Sequence, residues 1–213
     1  MKGIPEVVII YSSIYDRVLT ESNGREYTHD ARRRGRRMAA KIQSAWERHS
    51  AQILSSMVKL SGVRWRRREI RAYLVSFVRY PFSEPLTLWI GEKRENIEGA
   101  ITFLVHELAH VLLEDSEDVL SGYWKASEAA HRGQDHTTIT HIPVHGLMIE
   151  TLRATFGNDS EKYLRQERWW EYSKANPDMK ESYAASWNIV TSEGAASVLR
   201  TLRSSSKAAY PGK

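Results

Sequence analysis

Two histidines and a glutamate in the stretch FLVHELAHVLLED, residues 103–115, have the spacing of a metal-dependent hydrolase motif. His106, Glu107 and His110 form the pattern H-E-x-x-H. Residues four apart share one face of a helix, so both imidazoles can reach one zinc ion. The intervening glutamate can then accept a proton from the water that the ion activates. The pattern therefore predicts a zinc-dependent hydrolase in which Glu107 is the general base.

The helix that carries this motif has a separate apolar face. At about 100° per residue, His106 and His110 lie on the side opposite to an apolar stripe, with Glu107 beside them. The stripe predicts the face that packs in the core, so the histidines are expected to face a cleft. The stripe consists of Ile101, Leu104, Val105, Leu108, Val111 and Leu112.

A catalytic zinc site has three protein ligands and one position for water, so a further ligand is needed. Pro143 is a residue favoured in the first turn of a helix, and a helix that begins there places His145 on a buried face with Met148. A buried imidazole needs a partner, and a metal ion is one. The main alternative third ligand is Glu128, on a second helix after the motif. His131, His136 and His141 are further candidates, and these alternatives remain open.

Three further residues are candidates for contacts with substrate. His141, His136 and Tyr123 are each able to donate a hydrogen bond to the oxyanion that develops during hydrolysis. His141 precedes Pro143 and is expected to lie outside the predicted helix. The stretch LTLWIG, residues 86–91, is predicted to be an edge strand that pairs with an extended peptide, which favours a protein or peptide substrate.

The motif resembles that of the zincin-like metallopeptidases. HELAH on an apolar helix after a strand, with His145-Gly146 in a later helix, is similar to the SprT and WLM group within them. The resemblance covers about residues 70–156 and implies that His106, His110 and His145 bind Zn²⁺ while Glu107 acts as base. The ImmA/IrrE-like peptidases, which have a glutamate as third ligand, correspond to the alternative with Glu128.

Hydrophobic periodicity outlines the elements that position these residues. We expect a single α+β, zincin-like domain of residues 1–213, with a small mixed sheet packed on a long N-terminal helix and on the motif helix. Within this domain we expect, in chain order, a basic segment (31–71), a catalytic core (70–156), C-terminal helices (157–205) and a frayed tail (206–213). Strands are predicted at 6–12, 68–80 and 86–91, and helices at 30–60, 96–114, 118–131, 143–156, 160–175 and 192–206.

Composition excludes several classes of protein. The chain has no cysteine, which excludes disulfides, cysteine-ligated zinc ribbons and a cysteine nucleophile. It has no apolar run long enough for a membrane span or a signal peptide, so no membrane association and a cytoplasmic location are expected.

Positive charge is concentrated in one part of the chain. Residues 31–71 contain 13 Lys and Arg but two Glu, although the net charge of the whole protein is +5. Such asymmetry is typical of a surface that binds an anionic partner, and here nucleic acid is an alternative partner. The candidate contacts are Arg32, Arg33, Arg34, Arg36 and Arg37. A third alternative is an inactive zincin-like module that serves only in interactions.

Overall fold

The structure, a computed structural model, describes residues 3–78, 80–89, 96–168 and 177–209. Its strands are β1 (Glu6–Tyr11), β2 (Glu69–Val75), β3 (Phe82–Ser83) and β4 (Leu86–Trp89). Its helices are α1 (Ser13–Ser22), α2 (His29–Glu47), α3 (Ser50–Ser61), α4 (Ile97–Glu114), α5 (Glu117–Ala130), α6 (His136–Phe156), α7 (Ser160–Glu167), α8 (Pro177–Glu193) and α9 (Ala195–Ala209). A short 3₁₀ turn, Gly157–Asp159, joins α6 to α7.

The described strands form one mixed sheet in the order β1-β2-β4-β3. β1 pairs with β2 and β2 with β4 in parallel, whereas β3 and β4 are antiparallel. Buried and less buried residues alternate along β1 and β2, so one face of the sheet is apolar. The predicted α+β class with a small mixed sheet is confirmed.

The apolar face of the sheet and the helices enclose one core. Helices α2 and α4 pack against the sheet, and the core continues from there to α6 and α9. Helix α6 lies centrally and contacts α3, α4, α7, α8 and α9. The helix that carries the H-E-x-x-H motif is therefore held between the sheet on one side and a group of helices on the other.

Several predicted boundaries are wrong. The single helix expected at 30–60 is two helices, since α2 ends at Glu47 and α3 begins at Ser50. Both halves pack into the same core, so their apolar spacing continues across the break. Helix α9 continues to Ala209, past the point at which a frayed tail was predicted, and residues 210–213 lie outside the described residues.

The predicted edge strand is an internal strand. β4 lies between β2 and β3, and β3 is the outer strand on that side of the described sheet. The sequence pattern of β4 does not reveal this position, because the pairing depends on a two-residue strand that carries no periodicity of its own. Ile90 and Gly91, the end of the predicted strand, lie outside the described residues.

The start of α6 also differs from the prediction. Asp135 caps the helix, since its Oδ1 accepts a hydrogen bond of 2.8 Å from the backbone N–H of Thr138. Pro143 lies inside the helix, where a proline costs about 3 kcal/mol. We attribute the tolerance of this proline to the burial of the helix on all sides, which contributes more than the lost hydrogen bond costs. His141 consequently lies within α6.

A close approach between α2 and β1 requires a residue without a side chain at position 35. A Cβ atom built on Gly35 would lie 2.1 Å from Cε2 of Tyr11. The Tyr11 ring is held in place because its hydroxyl donates to Asp16 at 2.8 Å and lies 2.7 Å from the hydroxyl of Tyr27. Gly35 therefore belongs to the packing of this interface.

We predict that Gly35→Ala lowers the free energy of unfolding by about 1–3 kcal/mol, because the added methyl group overpacks a filled interface. Urea denaturation followed by circular dichroism measures the change. Gly122→Ala is the matched control, since Gly122 lies in α5 with no atom within 4 Å of an added Cβ. The control should be neutral or slightly stabilising, and equal effects of the two substitutions would contradict the prediction.

Candidate metal centre

Helix α4 places the residues of the motif in the interior of the protein. Asn96 caps its N-terminus by accepting a hydrogen bond of 2.8 Å from the backbone N–H of Gly99. The apolar stripe is buried as expected, but the opposite side is covered too, by α6 and α7. His106 is 3% exposed and Glu107 is 5% exposed, whereas His110 is half-buried.

Helix α6 presents two histidines to α4. His141 and His145 are both buried and stand four residues apart, so they share one helix face. His141 forms a group with His106 and His110, and His145 forms a second group with His106 and Glu167 of α7. Within each group, one potential ligand atom from each residue lies within 4.8 Å of those from the others. The two groups therefore share His106.

The first group contains both histidines of the motif. Nε2 of His110 lies 3.2 Å from Nε2 of His141. Two ligand nitrogens on a tetrahedral zinc ion, each at about 2.0 Å, are about 3.3 Å apart. The centroids of the His106 and His110 rings are 5.1 Å apart, and those of His106 and His141 are 5.4 Å apart. The spacing within this group therefore fits a shared ion.

Outer contacts orient two of these rings. Nδ1 of His141 donates to the carbonyl oxygen of Thr137 at 2.7 Å. In the neutral ring this leaves the lone pair on Nε2, which faces His110. Nδ1 of His110 lies 3.6 Å from Oε1 of Glu114. Such contacts on the far nitrogen fix the orientation of metal-binding histidines in known sites.

The second group is more deeply buried. Glu167 is 1% exposed, and its Oε1 lies 2.8 Å from Nδ1 of His106 and 3.4 Å from Nε2 of His145. Both carboxylate oxygens of Glu167 and both ring nitrogens of His106 are buried, and among the described residues none forms a properly aligned hydrogen bond. Buried polar atoms of this kind require a partner, and a metal ion would supply one.

Burial sets the protonation of the centre. Desolvation lowers the pKa values of His106 and His141 well below the ordinary value, and it also lowers that of His145. Desolvation raises the pKa of Glu107 well above its usual range, with further contributions from the charges of Glu167 and Glu114. Neutral imidazoles are the form that binds metal ions, so this environment favours ligation.

A narrow cleft reaches the motif. It is lined by Tyr80, Pro81, Phe103, His106, Glu107, Glu167 and Tyr183. The ring of Tyr183 lies 4.2 Å from that of His141 and is nearly parallel to that of His106, with centroids 5.9 Å apart. Glu167 and Tyr183 were not among the predicted site residues. Neither has a spacing that distinguishes it from the other glutamates and tyrosines of the chain.

The remaining predicted site residues lie elsewhere. Glu128 is exposed on α5 and belongs to neither group, so the position of the predicted alternative ligand does not fit. His136 is exposed and lines a different cleft together with Glu128 and Glu114. Tyr123 is buried in a third cleft, beside His131. Of the three candidates for oxyanion contacts, only His141 joins the two motif histidines, with its Nε2 facing that of His110.

The basic segment does not form one continuous arm. It spans α2, α3 and β2, and several of its charges are paired with carboxylates. Arg33 pairs with Asp30, and Arg67 contacts Asp115 at 2.9 Å. Arg36 and Arg37 are exposed, as is Arg33, whereas Arg32 and Arg34 are half-buried. Binding of nucleic acid by these arginines stays a prediction.

Comparisons of the chain with protein-family models, with curated proteins and with solved structures find no match. Among the described residues, no helix is long and apolar enough to cross a membrane. The residues and geometry of the centre therefore carry the inference about function.

We predict that His141→Ala lowers the affinity for Zn²⁺ by at least ~100-fold, since even outer contacts of ligands contribute about 10- to 100-fold. Competition with a chromogenic chelator measures the affinity. His136→Ala, an exposed histidine of the same helix, is the matched control and should bind Zn²⁺ as the wild type does. Unchanged affinity in His141→Ala, with loss in His145→Ala, would instead restore the ligand set predicted from sequence.

Proposed function

We propose that this protein is a zinc-dependent hydrolase that cleaves peptide bonds, with His106, His110 and His141 as ligands and Glu107 as general base. The observation that carries this proposal is the convergence of His141 on the two motif histidines, in a buried site where Glu107 and His106 line one cleft. Three imidazoles with a glutamate at this position are the donor set of a catalytic zinc centre, which keeps one position open for water.

A bound zinc ion would polarise a carbonyl group and acidify a water molecule at this position. Glu107 accepts the proton of the attacking water and transfers it to the leaving amine. Its burial favours this role, because a carboxylate with a raised pKa is a stronger base. The buried walls of the cleft exclude bulk water and strengthen the electrostatic interactions within it.

Tyr183 is our candidate for the donor that stabilises the oxyanion. It lines the same cleft as Glu107 and packs against His141. Burial and the charge of Glu107 raise the pKa of its hydroxyl, so the group keeps its proton at neutral pH and can donate a hydrogen bond. Tyr183 takes the role for which His136 and Tyr123 were considered, since these two lie in other clefts.

The outer strand of the sheet supports a peptide as substrate. β3 borders the described sheet on the side of β4, and Tyr80 and Pro81, which precede it, line the cleft. An extended peptide beside β3 would run toward Glu107. The resemblance of H-E-x-x-H to the zincin-like metallopeptidases points to the same class of substrate. That the fold is zincin-like is part of the same proposal.

We predict that Glu107→Gln retains bound Zn²⁺ but lowers kcat by about 10²–10⁴-fold, the usual contribution of a general base. Hydrolysis of a quenched fluorescent peptide library, with zinc content from elemental analysis, measures both properties. Glu161→Gln, an exposed glutamate of α7, is the control and should behave as the wild type does. Undiminished cleavage by Glu107→Gln, or wild-type protein that binds no zinc, would contradict the proposal.

A further inference from the structure

The histidines of α4 and α6 form two layers across the helix interface. His110 lies opposite His141, and His106 lies near both His141 and His145. The residue numbers increase along α4 in the direction in which they decrease along α6. The two helices are therefore antiparallel where they cross. The proposed zinc site uses the first layer and His106. It leaves His145 and Glu167, the most deeply buried pair of the cluster, without a role.

The tautomer of His145 follows from its neighbour Ser186. The Ser186 hydroxyl donates its proton to the carbonyl oxygen of Tyr183 at 3.0 Å, and its oxygen lies 3.1 Å from Nδ1 of His145. When the hydroxyl proton is given to Tyr183, the serine oxygen accepts from Nδ1 of the imidazole, because the hydroxyl has only one proton. In the neutral ring Nε2 then carries a lone pair, and this atom faces Oε1 of Glu167 at 3.4 Å.

Two lone pairs that face each other in a buried site repel unless a proton or a metal ion lies between them. Glu167 is 1% exposed, so solvent does not screen its charge. Among the described residues, no lysine or arginine forms an ion pair with Glu167. A metal ion bound by both atoms removes this repulsion and gives a partner to the buried oxygens of Glu167, whereas a proton on Glu167 is the alternative that the metal stoichiometry tests.

We propose that His106, His145 and Glu167 form a second divalent-metal site, beside the first, so that the centre holds two ions. Two imidazoles and one carboxylate are a donor set that zinc accepts. His106 serves both sites, one ring nitrogen to each ion, and binding of the second ion releases the remaining imidazole proton. The proposal rests on occupation of the first site in the proposed function, but not on cleavage of a peptide.

The test is the number of zinc ions bound per chain. The protein is first stripped of metal with a chelator, then reloaded with Zn²⁺ and separated from unbound Zn²⁺. We expect two zinc ions per chain in the wild type, one in Glu167→Gln and two in the control Glu161→Gln, which changes an exposed glutamate of the same helix. One ion per chain in both the wild type and Glu167→Gln would overturn the proposal, and Glu167 would then only orient His106.

A second measurement covers the case in which Glu167→Gln does not fold. Wild-type protein loaded with Co²⁺ should bind two equivalents, and magnetic coupling between them should attenuate the electron paramagnetic resonance signal per ion. Saturation at one equivalent with an isolated-ion signal would overturn the second site. Two ions without peptide cleavage would contradict only the proposed hydrolase, and one ion with cleavage would contradict only the second site.

Discussion

The burial of polar side chains between α4 and α6 is the constraint on which the rest of the structure depends. Both helices lie within the core, and yet each directs two histidines into their common interface. An imidazole without a partner in such a place costs on the order of 1–3 kcal/mol. Thr137 of α6 itself, Glu167 of α7 and Ser186 of α8 supply polar contacts, and several ring nitrogens are left facing one another.

The scaffold makes this interface rigid. The sheet and α2 support one side of α4, and α6 is enclosed by several helices, so neither helix can rotate without opening the core. The caps Asn96 and Asp135 fix where each helix begins. Functional groups on buried helices hold their geometry better than groups on loops, which suits the proposed metal centre, because its ligand atoms must match the radius of an ion.

The sequence allowed α4 and the main strands to be predicted, because their apolar periodicity is regular and their ends carry local signals. Prediction of α6 from Pro143 failed for a physical reason. The rule for proline describes local backbone energetics, whereas burial of the whole helix tolerates a proline in its interior. The error separated His141 from His145, and so it obscured the fact that both lie on one face of one helix.

Sequence alone determined that His106 and His110 share one face of a helix, with Glu107 beside them, because four-residue spacing fixes this in any helix. Tertiary structure decided which residues meet them. His141, His145 and Glu167 approach through the packing of α6 and α7 on α4, and Glu128 does not. Contacts between helices depend on how distant apolar surfaces fit together. The spacing of residues within one segment does not encode how two helices align. The tertiary fold therefore decides which residues meet the motif.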